Sequence, residues 1–224
     1  MKNVPFYSHP STRNDEWVIN NALPMGLKGG YYVEAGAFDG LTHSNTLTLE
    51  RYFGWTGLLI EPHPELIPKV KSNRPGNAFC GKALSLNGLP ETGTLLLGGQ
   101  WSGLQELMTR KFLDQHQERA NPGIEVKCCT LHNALEQADA PGHIDYLSLD
   151  IEGGELPVLM DYFLKTPESE RRRFGCITVE YQYDESILQS LIVLLDCYDY
   201  RFVRLSGWDA FFIWKGFRGS EKVE

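Results

Sequence analysis

Six acidic side chains, each set beside an apolar run or a glycine turn, are where this chain could do chemistry. Glu34 and Asp39 flank the turn in Tyr31-Tyr-Val-Glu-Ala-Gly-Ala-Phe-Asp-Gly40, and Glu61 closes Gly57-Leu-Leu-Ile-Glu-Pro62. Asp150 and Glu152 lie in Ile144-Asp-Tyr-Leu-Ser-Leu-Asp-Ile-Glu-Gly-Gly-Glu155, and Glu180 closes Cys176-Ile-Thr-Val-Glu180. In an open α/β sheet, ligands bind beyond the carboxyl ends of the strands, so acids ending parallel strands converge on one edge. Gly36 and Gly40 let the backbone turn tightly after the first apolar run and bring N–H groups close to a ligand. Glu61 follows Gly40 by 21 residues, where an acid can take both hydroxyls of a ribose. The turn lacks the G-x-G-x-x-G spacing that cradles a pyrophosphate. A cofactor with a ribose and no phosphate fits it, and S-adenosylmethionine is the common one.

Asp150 and Glu152 sit where Gly153-Gly154 frees the backbone. With Glu180 they could hold Mg²⁺ through oxygen ligands, or act without metal as a base and orienting pair. Glu155 falls in the first turn of the following helix, where the helix dipole favours a negative charge, and reads as a cap. Among other polar groups, His43 could be a base or a helix-start residue, and His63 follows Glu61-Pro62. Trp101 and Trp208, on glycine-containing loops, could stack on a flat acceptor or anchor the loops. Arg171-Arg-Arg173 reads as a solvated loop or a patch for an acidic acceptor.

The elements that must position these groups follow from periodicity. Strands are expected at Tyr31–Ala35, Leu58–Ile60, Asn77–Cys80, Thr94–Leu97, Ile124–Cys128, Ile144–Leu149 and Cys176–Val179, and in a closing hairpin-like pair at Tyr200–Leu205 and Ala210–Lys215. Helices are expected over Asp15–Leu23, ending near Pro24 and Gly26, over Asn45–Phe53, and from Pro64 to about Asn73. Further helices follow over Leu131–Gln137 with Thr130 as N-cap, after Gly153-Gly154, and around Ile187–Leu195, with a polar helical stretch between Leu104 and Asn121. Strands alternating with helices predict one mixed, mostly parallel α/β sheet with helices on both faces.

The chain has 224 residues, enough for one α/β domain, and 42% apolar against 22% charged residues is ordinary globular composition. We expect a single domain over 1–224, with residues 1–28 as an entry segment. A net charge of −8, from 21 basic and 29 acidic residues, argues against a nucleic-acid partner. Five scattered cysteines without a C-x-x-C pair read as free thiols of a reducing compartment. No stretch is apolar for long enough to span a membrane, and cytoplasmic location is expected.

Beyond the acids, Ser44-Asn45-Thr46 with Leu49-Glu50, the run Gly54-Trp55-Thr56-Gly57 leading into Glu61-Pro62, and Asn73-Arg74 complete a set of ordered blocks. From about Tyr31 to Trp214 these blocks resemble the FkbM-type methyltransferases, although Ser8-His-Pro-Ser11 and Asn14-Asp-Glu16 depart from that family's entry segment. The resemblance implies a class I Rossmann-like fold, S-adenosylmethionine as methyl donor, and O-methylation of a saccharide or glycosylated small molecule. It implies that Gly36, Ala37 and Gly40 pass under the methionine moiety and that Glu34 and Asp39 lie near its amino group. Ser44, Asn45, Glu61 and Pro62 would contact the cofactor, with Glu61 on the ribose, while Lys82, Ala83 and Leu84 would border the adenine. Asp150 and Glu152 would face both the methionine end and the acceptor. Competing readings are a non-catalytic binding module that retains the fold and, less well matched to the glycine spacing, a nicotinamide-dependent oxidoreductase.

Overall fold

The computed structural model describes residues 4–22, 28–119 and 121–216. Its body is a seven-stranded sheet. Five strands run parallel: β1 (Tyr31–Ala35), β2 (Thr56–Ile60), β3 (Ala78–Cys80), β8 (His143–Leu149) and β9 (Arg173–Glu180). β10 (Tyr200–Ser206) and β11 (Asp209–Trp214) form the closing antiparallel pair, with β11 reversed beside β9. The order is β10-β11-β9-β8-β1-β2-β3. Sequence order reverses between β1 and β8, and the C-terminal ends of these two strands open the crevice in which such sheets bind ligands.

Both faces of the sheet are covered, which is why its central strands read as continuous apolar runs. Val33, Leu58, Leu147 and Ile177 face α5 (Leu131–Gln137), α6 (Glu155–Lys165) and α7 (Glu185–Asp196), packing with Leu135, Leu159 and Leu191. The alternate residues Tyr32, Leu59, Tyr146 and Phe211 face α1 (Asn14–Trp17), α2 (Leu47–Phe53) and α3 (Ile67–Asn73), packing with Trp17, Leu49 and Val70. The expected first helix is present through Ala22, with α geometry over its first turn. α1 passes into a π-helical turn over Val18–Ala22, and the remainder of that stretch lies outside the described residues.

A larger difference lies between β3 and β8. The strands expected near Thr94 and Ile124 are not part of the main sheet. β5 (Thr92–Leu96) and β7 (Gly123–Cys129) join β4 (Ala83–Leu84) and β6 (Gly103–Leu104) in a second, four-stranded sheet. It has its own small core of Ala83, Leu95, Leu104, Val126 and Cys128. Of the polar stretch expected to be helical between Leu104 and Asn121, Arg110–Glu118 is α-helical among the described residues (α4). The five cysteines are free thiols; Sγ of Cys80 and Sγ of Cys129 are 3.8 Å apart where this small sheet meets β3.

Candidate active site

The ends of the parallel strands open onto one cavity of about 440 Å³, within the usual range for small-molecule sites. Its floor is the turn after β1. The N–H groups of Gly36 and Ala37 continue the ladder onto the carbonyl of Ile60, and Asp150 N–H donates to the carbonyl of Ala35. Gly36 has φ 90°, and a Cβ there would lie 1.8 Å from the carbonyl oxygen of Asp150. This position therefore requires glycine, and it lets β1 and β8 close together at the crevice.

Glu61 is buried against this turn. One carboxylate oxygen accepts the Phe38 N–H at 2.9 Å and the other accepts the His63 N–H at 2.8 Å. Burial pushes its carboxyl up to about 7, against the lowering effect of the two N–H donors. Each oxygen keeps acceptor capacity on the cavity side. Gly36, Ser44, Asn45, Pro62, Ala83 and Leu84 line the same cavity.

Other sequence candidates are held differently. Glu34 is buried and accepts from Ser44 Oγ (3.0 Å), Asn45 N–H (2.6 Å) and Thr46 Oγ1 (2.6 Å), with Arg74 Nη1 at 3.7 Å. Burial raises its pKa, opposed by these donors and by the Arg74 charge. Its carboxylate thus shapes the start of α2, although the side chain also lines the cavity. Asp39 caps its own turn, accepting from the N–H groups of Leu41 (2.8 Å) and Thr42 (2.7 Å). Lys82 Nζ reaches Gln137 Oε1 at 3.3 Å. Asp39, Lys82, Ala37 and Gly40 are not among the described residues that line the cavity.

The carboxyls of Asp150, Glu152 and Glu180 do come together: one oxygen from each lies within 4.8 Å of the others. Burial and neighbouring acids favour the protonated forms of Glu152 and Glu180, and burial raises Asp150 as well. Asp150 is raised to about 6 by burial, with a hydrogen bond from Glu180 opposing the shift. Glu152 is raised to about 9 by burial and the neighbouring Asp150, Glu155 and Asp209 charges. Glu180 is pushed well above the carboxylate range for the same reasons, and among the described residues its Oε2 has no hydrogen-bond partner. Glu155 turns back to accept the N–H groups of Ile151 (2.9 Å) and Gly153 (3.1 and 3.0 Å), bracing the turn that presents Asp150 and Glu152. Strain is concentrated here as well. Phe38, His43, Glu152, Gln182 and Tyr183 all line the cavity and all have φ between 51° and 62°, a left-handed conformation that costs energy for a side-chain-bearing residue.

Two contributors escaped the sequence reading. Asp209 begins the reversed strand opposite Glu180, so the antiparallel strand brings a further acid to the same edge; its Oδ2 accepts from Asn14 Nδ2 at 2.5 Å. The signal was the acid directly after the Gly207-Trp208 turn. Arg74, fully buried, links the turn after β1 to α2: it pairs with Glu50 and donates to the Gly40 carbonyl (3.1 Å), Ser44 Oγ (3.1 Å), Tyr32 Oη (2.6 Å) and Thr46 Oγ1 (3.0 Å). Among the histidines, His43 and His9 meet edge-on at 4.7 Å beside Trp208, at the cavity rim.

Strand order, reversed β11 and ligand crevice define an α/β fold of the class I, S-adenosylmethionine-dependent methyltransferases. From residue 34 to residue 202 the chain matches the methyltransferase FkbM domain, and it belongs to that family. Among solved structures it is similar to the methyltransferase domain of METTL16, with 11% identity and a TM-score of 0.51. It is also similar to methyltransferase FkbM from Methylobacillus flagellatus KT, with 14% identity and a TM-score of 0.48. The aligned regions cover 90% of this chain and 65% of the METTL16 domain, and 82% of this chain and 43% of the Methylobacillus protein. The chain thus spans less than two thirds of either. No curated protein matches it.

Proposed function

We propose that this methyltransferase acts on oxygen, methylating a hydroxyl of a saccharide or glycosylated small molecule. The observation that carries the reading is the Asp150–Glu152–Glu180 group, set in one cavity with the glycine turn and Glu61. The cavity suits the methyl donor: Glu61 has free acceptor capacity for ribose hydroxyls, and Gly36 leaves no side chain over the turn. S-adenosylmethionine, when bound, supplies an electrophilic methyl group on a positively charged sulfur.

The chain's own residues supply the rest. Asp150, raised only to about 6, is ionised near neutral pH while Glu152 and Glu180 retain protons. It is therefore the member of the group able to accept a hydroxyl proton, and Glu180 orients it through their shared hydrogen bond. Trp101 and Trp208 line the cavity and offer flat apolar surfaces to a sugar ring. A second reading of the same group has a specific observation behind it. One oxygen each from Asp150, Glu152 and Glu180 makes a hard donor set suited to Mg²⁺, and Glu180 Oε2 is without a partner among the described residues; the ion would orient and acidify the hydroxyl instead.

The test is S-adenosylhomocysteine release from S-adenosylmethionine over a panel of saccharides and their glycosides. Asp150→Asn is expected to lower turnover about a hundredfold or more, the size of a general-base contribution. Loss of activity on chelation, restored by Mg²⁺, would select the metal reading. Tight S-adenosylhomocysteine binding with no transfer to any acceptor would favour a binding module that keeps the fold.

A further inference from the structure

α4 contributes part of the cavity wall. Lys111, Phe112, Gln115, His116 and Arg119 line it, and their spacing of i, i+1, i+4, i+5 and i+8 marks one helix face. Arg110 and Asp114, elsewhere on the helix surface, neutralise each other in an ion pair at 2.9 Å. The cavity face has no such compensation: among the described residues, neither Lys111 nor Arg119 has an ion-pair partner. Asp184 feels the Lys111 charge. Its carboxylate is committed to capping α7, where it accepts from Ser186 N–H (2.9 Å), Ser186 Oγ (2.6 Å) and Ile187 N–H (3.2 Å).

Arg119 lies over the indole of Trp101, 5.0 Å from the ring centroid. Trp101 is 56% exposed, and its main chain is tied to α4. Buried His116 contacts the Trp101 carbonyl through Nε2 at 3.0 Å and Asn121 Nδ2 through Nδ1 at 2.9 Å. With the Asn121 amide donating to Nδ1, Nε2 carries the proton and donates to that carbonyl, tying the Trp101 loop to the helix. A chain of net charge −8 thus sets two cations outside any ion pair among the described residues, and an aromatic ring beside one of them, on the cavity that its acids also line. A neutral sugar would leave both cations unused.

We infer that α4 is the acceptor-recognition element and that the acceptor carries an anionic group, phosphate or carboxylate, held by Lys111 and Arg119 beside the Trp101 ring. Calling the bound molecule an acceptor rests on the methyltransferase reading; the anion subsite itself does not. The methyl-accepting hydroxyl then lies at the acidic wall and the anion at the basic one, so the two walls fix which end of the molecule enters first.

Calorimetry on protein saturated with S-adenosylhomocysteine tests this, with pyrophosphate, glucuronate and methyl glucoside as probes. One of the anions should bind at least about tenfold more tightly than the neutral glycoside, as charge-assisted contacts dictate, and weaken as salt rises. Preference for pyrophosphate identifies phosphate as the group, and preference for glucuronate a carboxylate. Lys111→Glu and Arg119→Glu, both at exposed positions, should each remove about tenfold of that affinity and leave S-adenosylhomocysteine binding unchanged. Equal binding of all three probes, or anion binding indifferent to both substitutions, overturns the inference. If S-adenosylhomocysteine fails to bind while the anion response persists, the methyltransferase reading falls and the subsite stands.

Discussion

Glu61 carries the sharpest expectation at the level of single residues. Replacing it with alanine removes a carboxylate that can accept ribose hydroxyls, worth roughly 1.5–3 kcal/mol for hydrogen bonds to a charged group. Titration calorimetry should therefore show S-adenosylhomocysteine binding about ten- to a hundredfold weaker, and an unchanged affinity would place the ribose elsewhere. Glu61, Asp150 and Glu180 were legible in the sequence because each ends an apolar run, and a sheet buried on both faces leaves few other places for such runs. Asp209 was not, because the reversal of the last strand decides which edge it occupies. Lys111 and Arg119 were not legible either: on a polar helix, only the packing of the small sheet determines which face sees the cavity. Asp39 shows the converse, an acid with the expected spacing whose carboxylate is occupied by the N–H groups of its own turn.

Two elements set how rigidly these residues are held, and each has a variant that tests it. The crossing of the β1 turn over the end of β8 leaves no room for a methyl group, so Gly36→Ala must push the Asp150 backbone away as well as strain its own φ. Chemical denaturation should show a clear loss of stability, and S-adenosylhomocysteine binding should be lost in whatever fraction remains folded. A variant of native stability and affinity would contradict this packing. The second is the hold of α2 on the β1 turn through Arg74. Arg74→Met leaves Glu34 and Glu50 without their cation and strands several buried acceptors, a change of the kind that costs about 3–5 kcal/mol. Arg74→Lys should recover little, since one ammonium cannot reach partners that a guanidinium fork spans. The strands of the main sheet and most helices could be placed from periodicity alone. The separate small sheet could not, because its strands have the same local pattern as those of the main sheet and differ only in their partners.

Across the whole molecule, the crowded acids make stability a function of pH. Asp150, Glu61, Glu155 and Glu152 are raised to about 6, 7, 7 and 9, from ordinary values of 3.8 for aspartate and 4.5 for glutamate. In this range the folded chain binds more protons than the unfolded one, so stability is fully present below the ordinary values and is lost as pH rises through the raised ones. At constant ionic strength the ligand-free Tm should fall from pH 5 to about pH 9, and Glu152→Gln should flatten the upper part of that slope. A Tm rising over the same interval would contradict the arrangement of these carboxyls. The small sheet has a consequence of another kind. Its first strand pairs in parallel with its last, Ala83 with Cys128 and Leu84 with Cys129, so the chain leaves the main body and returns to it at adjacent points. Doubling the length of such an excursion costs only about 0.6 kcal/mol in closure entropy. Closure entropy therefore sets little limit on the length of this stretch, so the cavity residues it carries can change while the glycine turn and Glu61 keep their places on the β1–β2–β8 framework.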